Sequence, residues 1–222
     1  PFEAIGDGGQ KYTADSIIIS TGAQARWLNI ETEQKFRGFG VSACATCDGF
    51  FFKNKTVAVV GGGNTAVEEA LFLSNLCRKV HIIHRRDKLR AEKILQERLF
   101  QKKNVEFIWD SNVTEITGDL EKKVLQSITI KNKQNEINQL SVDGFFVAIG
   151  HSPATTLFKN KLQMDNDGYI FTEPNSTKTD IDGVFAAGDV TDRLYRQAVT
   201  AAGMGCMSAI EAESFLSSKK II

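Results

Sequence analysis

The chain has 222 residues, 42% hydrophobic and 24% charged, with 27 basic and 27 acidic residues. These values are ordinary for a soluble globular protein of one or two domains; they give no support to a nucleic-acid or membrane-surface partner, and no apolar run approaches the ~18 residues that span a membrane. Four cysteines, two of them spaced C-x-x-C, do not make a disulfide framework at this length, so we expect a cytoplasmic protein.

The N-terminal part predicts short strands followed by a connector. Strands bounded by turn residues are predicted at Phe2–Ile5, Gln10–Thr13 and Ser16–Ser20. Residues 25–40 have weak periodicity and two glycines, which predicts a connector. The first residue is Pro1 and a domain seldom starts inside a hairpin, so we expect the chain to be a fragment that lacks an N-terminal part.

The central part alternates strands and helices. The apolar run Thr56–Val60 is typical of a strand in a parallel sheet. Apolar spacing predicts helices at 64–76 and 88–100, the second with Leu89, Ile94, Leu95 and Leu99 facing inward. Further strands are predicted at Val80–Ile83, Phe107–Trp109, Val113–Ile116, Leu125–Ile130, Gln139–Val142 and Phe145–Ile149.

The C-terminal part begins where Gly150-His151-Ser152-Pro153 interrupts this pattern and predicts a crossing to another domain. A short strand is predicted at Val184–Ala186 and a long helix at 197–216. The two flanks would have to fold together around the central block, which is an insertion architecture.

A dinucleotide signature follows the strand Thr56–Val60. In Gly61-x-Gly63-x-x-Ala66 the first glycine permits a tight turn, the second lets a pyrophosphate approach the backbone, and Ala66 allows close helix–strand packing. The motif alone also fits a glycine-rich turn. Its place between a strand and a helix favours a dinucleotide site that includes Asn64 and Thr65.

The end of the next strand indicates which nicotinamide is bound. An NAD enzyme needs an acid about 20 residues beyond the glycines to hold the ribose 2′-hydroxyl. Here that place holds His84-Arg85-Arg86, with Arg90 one turn further. Guanidinium groups match phosphate geometry, so the sequence predicts NADPH rather than NADH. The alternative is a solvated basic turn.

Cys44-Ala45-Thr46-Cys47 lies shortly before the glycine signature. A dithiol stores two electrons and a nicotinamide supplies two, so their adjacency predicts transfer of reducing equivalents to sulfur. The alternatives are two buried thiols or half of a zinc site. His81 and His84 are possible further zinc ligands, but an odd separation places them on opposite faces of a strand, and we predict no metal.

The neighbouring residues in the sequence suggest roles for one acidic residue next to this motif and for the two remaining cysteines. Asp48 is a candidate acid–base group for the departing sulfur, with a turn-capping role as the alternative. Cys77 and Cys206 lie in apolar, helix-like settings and are predicted core residues.

A flavin normally mediates between nicotinamide and a disulfide, and the flanks supply candidate contacts for one. Each lies at the end of a predicted strand or at the start of the last helix, whose positive end can face the flavin. They are Thr21, Gly22, Gly188, Asp189, Arg196, Gln197 and Ala198.

With these motifs the chain resembles the bacterial low-molecular-weight thioredoxin reductases over essentially its whole length. The stretches that carry the resemblance are Thr21 to Ala23, Val41 to Phe51, Gly61 to Ala70, His84 to Asp87, Val147 to Pro153, Gly183 to Asp189 and Tyr195 to Ala198. The resemblance implies an α/β fold of the two-dinucleotide-binding-domain flavoprotein type. A Rossmann-like NADPH-binding domain, residues 28–150, would be inserted in a partial FAD-binding domain made of residues 1–27 and 151–222.

The resemblance also implies a cytoplasmic homodimeric flavoenzyme that reduces thioredoxin with NADPH through FAD and the dithiol. Cys44 would attack the partner disulfide, Cys47 would face the flavin, and Asp48 would act as acid and base. The other roles implied are 2′-phosphate binding by Arg85, Arg86 and Arg90, and FAD contacts by Asp189, Arg196, Gln197 and Ala198.

The chain departs from this family in one respect. The family begins with a glycine loop for the ADP part of FAD, whereas this sequence has only the nicotinamide loop, so we expect a chain that starts at Pro1 to be inactive alone. Two alternatives stay open: the flavoprotein reductase of a peroxide-scavenging system, which carries an extra N-terminal dithiol domain, and a non-catalytic nucleotide-binding or zinc-bound module. The stretch from Cys44 to Phe51 favours thioredoxin reductase.

Overall fold

The computed structural model describes residues 1–219. Its strands are β1 (Phe2–Ile5), β2 (Lys11–Ala14), β3 (Ile17–Ile19), β4 (Ala23–Ala25), β5 (Val41–Ser42), β6 (Thr56–Val60), β7 (Lys79–Ile83), β8 (Val105–Ile108), β9 (Ser111–Asp119), β10 (Val124–Asn132), β11 (Ile137–Ser141), β12 (Gly144–Val147), β13 (His151–Pro153) and β14 (Val184–Ala186). Its α-helices are α1 (Glu31–Phe36), α2 (Ala45–Asp48), α3 (Asn64–Ser74), α4 (Lys93–Phe100) and α5 (Ala198–Lys219), with 3₁₀ turns at Gly49–Phe52 and Thr156–Phe158.

A five-stranded sheet organises the unit Ala25–Gly150. Its strand order is β5-β12-β6-β7-β8, and every neighbouring pair is parallel. Both faces are covered: Val57 and Val59 lie in one core with residues of α3, while Ala58 and Val60 lie in a second core on the other face. A strand buried on both sides has no polar face, which explains the continuous apolar run of β6. The predicted α/β fold with a parallel sheet is confirmed.

An antiparallel sheet covers the second face. Its order is β11-β10-β9, and Val113, Ile116 and Ile128 share a core with Ala58 and Phe145 of the parallel sheet. The unit therefore has three layers, with α3 and α4 on one side and this sheet on the other. This arrangement leaves the carboxyl ends of the parallel strands free to form a site.

The predicted connector 25–40 is wrong in one respect, because it contains the helix α1. The carboxylate of Glu33 is fully buried and accepts hydrogen bonds from the backbone N–H groups of Leu28 and Asn29 at 3.0 and 3.2 Å. It also pairs with Arg37 at 3.1 Å, and the Arg37 guanidinium lies 3.9 Å from the ring centre of Trp27. This helix depends on a buried polar network, which apolar periodicity does not report.

The second predicted helix also needed correction. Its helical part, α4, starts at Lys93 rather than residue 88, since the backbone N–H of Arg90 donates to the carbonyl of Gly62 (2.7 Å) and not to its own helix. Leu89 and Leu99 are buried as predicted, but Ile94 is 60% exposed. A contact with a distant part of the chain can keep the residues before a helix out of helical geometry, and apolar spacing alone does not show where such a helix begins.

The other unit combines Pro1–Gln24 with the described residues from His151 to Lys219. Its strands β3 and β14 are parallel, and α5 contacts both; β1 and β2 form an antiparallel hairpin. Ile19, Ile170, Val184 and Val190 belong to its core. Because β3 and β14 run in the same direction, the residues after Ile19 and after Ala186 meet at one edge of the sheet. No helix among residues 1–219 is long and apolar enough to cross a membrane.

Candidate active site

A cavity of about 540 Å³ lies within the unit Ala25–Gly150, at the carboxyl ends of β6, β7 and β12. Most of the predicted nicotinamide residues line it, whereas Asn64, Ala66 and Arg86 do not belong to its lining. The predicted residues that line it are Gly61, Gly63, Thr65, His84, Arg85 and Arg90. The sequence motifs therefore converge on one space large enough for part of a dinucleotide.

The glycine loop makes the floor of this cavity. At Gly61, where φ is +150°, a side-chain Cβ would lie 2.3 Å from the carbonyl oxygen of Ala148 and 2.7 Å from the Cβ of Ala66, so only glycine fits. Gly63 precedes α3 with no side-chain cap, and no described atom lies within 4 Å of where its Cβ would be. Uncapped N–H groups beside open space suit the pyrophosphate of a dinucleotide.

His84 forms the wall beside the glycine loop. It is only 4% exposed, and its Nε2 is buried with no hydrogen-bond partner among residues 1–219. Burial lowers the pKa of His84, and the charges of Arg90 and Arg86 lower it further, so the imidazole is neutral at pH 7. A buried unpartnered nitrogen together with the open cradle and the cationic rim fits a phosphorylated dinucleotide.

The three arginines are not equivalent in the structure. All three side chains are exposed, but Arg85 and Arg90 line the cavity and Arg86 does not. The cavity has a further cationic residue, Arg26, that the sequence analysis did not identify. A single arginine in a segment without a motif carries no signal of its own, and only the folded chain brings it to this cavity.

Gly62 is a second position of the glycine loop where a side chain should lower stability. A Cβ there would lie 2.2 Å from Cε1 of the buried His84 ring, so we expect Gly62→Ala to lower the free energy of unfolding by roughly 1–3 kcal/mol. Gly63→Ala is the matched control, because it meets no described atom. Denaturant unfolding checks this, and equal stability of the two variants would contradict the described packing.

Cys44 and Cys47 are joined by a disulfide at the start of α2. The sulfur of Cys44 accepts from the N–H of Cys47 at 3.2 Å, and the N–H of Cys44 donates to the hydroxyl of Ser42 at 3.0 Å. Cys47 is exposed and Cys44 is half-buried. The pair is therefore bonded as a redox pair would be, and accessible to another molecule.

Asp48 follows the disulfide directly and is free of the turn-capping role. Its side chain makes no capping hydrogen bond to the 3₁₀ turn Gly49–Phe52. It lines a second cavity of about 350 Å³ with Ser42, Phe51 and Lys55. Phe51 and its neighbour Phe50 are exposed by 72% and 70%, so the disulfide lies beside an apolar surface.

The two other cysteines differ from each other, and the prediction that Cys206 is a core residue is wrong. Cys206 is exposed on α5, a helix whose buried residues are Ser208 and Ala212, whereas Cys77 is buried as predicted. The small residues that precede Cys206 look like an apolar core in the sequence. On a helix with few buried positions they lie mostly in solvent.

Cysteine alkylation should distinguish the buried thiol of Cys77 from the exposed thiol of Cys206 by their rates of reaction. Burial, with a smaller effect of Asp143, raises the pKa of Cys77 to about 11, so only about one molecule in a thousand carries its thiolate at pH 8. With the Cys44–Cys47 disulfide intact, we expect iodoacetamide to modify Cys206 quickly and Cys77 only after unfolding. Mass spectrometry of the labelled peptides checks this, and equally fast labelling of Cys77 would contradict its burial.

The predicted flavin residues lie in the other unit. Thr21 and Gly22 follow β3, and Gly188 and Asp189 follow the parallel strand β14, so the two pairs meet at one sheet edge. A Cβ on Gly188 would lie 3.5 Å from Ala201, which places the first turn of α5 beside this edge. The residues Arg196, Gln197 and Ala198 lie at the start of that helix.

Asp192, which the sequence analysis did not single out, holds this segment in place. Its carboxylate accepts from the backbone N–H groups of Leu194, Tyr195 and Arg196, each at 2.8 Å.

Burial and the charge of Asp192 raise the pKa of Asp189, while Arg196 opposes the rise. The hydroxyl of Thr21 donates to the carbonyl of Ala154 at 2.7 Å. A carboxylate at a strand end beside a helix N-terminus suits the ribityl hydroxyls of a flavin.

Comparison with known proteins also relates nearly all of the chain to enzymes that act on nicotinamide nucleotides and disulfides. The model of the family "Pyridine nucleotide-disulphide oxidoreductase" matches residues 3–205. A thioredoxin reductase of Rickettsia conorii is 58% identical over 97% of this chain and 70% of its own length, and one of Escherichia coli O157:H7 is 54% identical over 97% and 69%.

Two solved structures that resemble this chain are also those of thioredoxin reductases. The thioredoxin reductase of Giardia duodenalis has a TM-score of 0.91 and 42% identity over 98% of this chain and 71% of its own. The enzyme of Streptococcus pyogenes MGAS5005 has a TM-score of 0.89 and 40% identity over 94% and 68%. The chain therefore belongs to the pyridine nucleotide-disulphide oxidoreductases, and within them to the thioredoxin reductases.

Proposed function

We propose that the protein to which this sequence belongs reduces the disulfide of thioredoxin with NADPH through the Cys44–Cys47 pair. The observation that carries the proposal is that the disulfide and the dinucleotide cavity belong to one unit, Ala25–Gly150. The balance is one NADPH and one proton consumed for each thioredoxin disulfide converted to two thiols. As in the family, FAD when bound carries the two electrons between nicotinamide and disulfide.

The residues proposed to hold NADPH are those of the glycine loop and the segment after β7. Gly61, Gly63 and the first turn of α3 would bind the pyrophosphate with backbone N–H groups. Arg85 and Arg90 would bind the 2′-phosphate with charge-assisted hydrogen bonds. For FAD we propose the edge at Gly188 and Asp189, with Arg196 to Ala198 at the start of α5.

The dithiol is proposed to act by two exchange reactions. In the reduced chain the Cys44 thiolate attacks the thioredoxin disulfide, so one Cys44–thioredoxin bond forms and the first thioredoxin sulfur leaves. Asp48 supplies the proton that this leaving thiolate needs. Cys47 then attacks Cys44, which breaks the Cys44–thioredoxin bond and forms the Cys44–Cys47 disulfide seen in the structure, and the proton lost by the Cys47 thiol passes to the second thioredoxin sulfur.

Oligomeric state and compartment are also proposals. We infer a homodimer and a cytoplasmic location, supported by the resemblance to the bacterial reductases and by the scarcity of cysteines outside the redox pair. Light scattering after size exclusion measures the mass in solution, and a monomer at assay concentration would contradict the first inference.

The function is tested by mixing the full-length natural protein with FAD, NADPH and oxidised thioredoxin. We expect NADPH absorbance to fall only when thioredoxin is present, with two new thioredoxin thiols for each NADPH consumed. Oxidised glutathione in place of thioredoxin is the control for unspecific disulfide reduction. NADPH consumption without new thioredoxin thiols would refute the proposal.

A further inference from the structure

The segment that carries the arginines is attached directly to the glycine loop. Besides the bond from Arg90 to the carbonyl of Gly62, the backbone N–H of Glu92 donates to Oδ1 of Asn64 at 2.9 Å. The Nδ2 of Asn64 donates in turn to Oε1 of Glu92 at 3.1 Å. Both ends of the Asn64 amide are therefore occupied by one residue that lies 28 positions further along the chain.

From these contacts we propose that Asn64 and Glu92 form a positioning pair that determines how strongly the site prefers NADPH to NADH. The inference rests on the proposed NADPH site. Pyrophosphate and 2′-phosphate are joined in the ligand by one ribose, which limits the distance between them, so the loop that binds one must be held relative to the loop that binds the other. The pair connects the first residue of α3 to the end of the segment bearing Arg85 and Arg90.

A purely local role for Glu92 does not account for the contact. Glu92 is the N-cap residue of α4, but its side chain makes no capping hydrogen bond there. Its carboxylate instead accepts from Asn64, on another helix, although a carboxylate close to a phosphate site adds repulsion. A negative charge beside an anion site is tolerable if its hydrogen bond positions the cations that bind the anion.

The test measures the dissociation constants of NADP⁺ and NAD⁺ by calorimetry, and their ratio is taken as the NADPH-over-NADH preference. The oxidised nucleotides cannot reduce the enzyme, so the measurement does not depend on turnover. We expect Glu92→Ala and Asn64→Ala each to reduce the NADPH-over-NADH preference about five- to tenfold, the effect of losing a modest hydrogen bond. Glu92→Gln should keep the preference, because its amide oxygen still accepts from Asn64. Glu97→Ala removes an exposed carboxylate of the same helix and is the matched control.

Since the two residues act as one unit, the double variant Asn64→Ala/Glu92→Ala should lose no more preference than either single variant. The proposal is overturned if the single variants keep the wild-type preference, if Glu92→Gln loses as much as Glu92→Ala, or if the losses add. Thermal unfolding of each variant accompanies the titrations, and both side chains are exposed, so we expect folded proteins.

These outcomes separate the inference from the proposed function. If the wild-type protein prefers NADPH and the variants lose that preference, the pair is supported even where thioredoxin is not reduced. If thioredoxin is reduced and the variants keep the preference, the inference alone fails.

Discussion

Replacing Cys44 or Cys47 with serine is expected to abolish thioredoxin-dependent NADPH oxidation. A serine hydroxyl forms no disulfide, so neither exchange sequence can be completed. NADPH oxidation with ferricyanide, a small acceptor that needs no dithiol, should continue in both variants. If Cys44 is the attacking sulfur, Cys47→Ser should accumulate a covalent adduct with thioredoxin and Cys44→Ser should not, which mass spectrometry of the non-reduced mixture distinguishes.

The matched control for these variants is Cys206→Ser. Cys206 is exposed and free, so its replacement removes an accessible thiol without touching the redox pair. We expect it to keep the wild-type rate. Thioredoxin reduction near the wild-type rate by either Cys44→Ser or Cys47→Ser would show that electrons reach thioredoxin by another path.

Replacing Arg85 or Arg90 with alanine should weaken the binding of NADPH far more than the binding of NADH. Both residues line the cavity, and a lost hydrogen bond to a charged group costs about 1.5–3 kcal/mol, or roughly ten- to a hundredfold in affinity. NADH has no 2′-phosphate, so Arg85→Ala and Arg90→Ala should change its affinity only slightly. Titration of each variant with both nucleotides measures the difference.

Arg86→Ala provides the comparison within the same motif. The sequence places Arg86 with Arg85 as a phosphate ligand, but in the structure Arg86 is not part of the cavity lining. We therefore expect a smaller loss of NADPH affinity than at Arg85. Equal losses for NADPH and NADH at Arg85 and Arg90 would mean that these residues do not bind the 2′-phosphate.

Local sequence pattern was sufficient to predict the strand, glycine turn and helix that begin the dinucleotide site of the central unit. The strand β6 has the predicted bounds Thr56–Val60, and α3 starts at the predicted Asn64, because strand, glycine turn and helix are contiguous and each has its own period. The C-x-x-C spacing likewise predicted a bonded pair, since two cysteines one helical turn apart are brought close by the first turn alone.

Elements that depend on buried polar contacts or on distant partners were predicted less well. The helix α1 is held by the buried Glu33, whose partners lie on the preceding segment and on Arg37, and a charged residue in an aperiodic segment looks exposed in a sequence. The start of α4 was misplaced because Arg90 is bonded to Gly62. Cys206 looked buried because its neighbours are small and apolar, but burial of a helix face depends on what packs against it.

The sequence by itself determined the chemistry of this protein: a redox cysteine pair, a dinucleotide loop and an arginine-rich segment each consist of adjacent residues whose types and spacing carry the signal. Only the tertiary structure decided which of these residues meet. It brings Arg85, Arg90 and Arg26 to one cavity, leaves Arg86 outside it, and joins Asn64 to Glu92. The physical reason is that hydrogen bonds and burial depend on distance in space. Helix and strand periodicity relates only residues close together in the chain, so it cannot show a contact between residues far apart in the sequence.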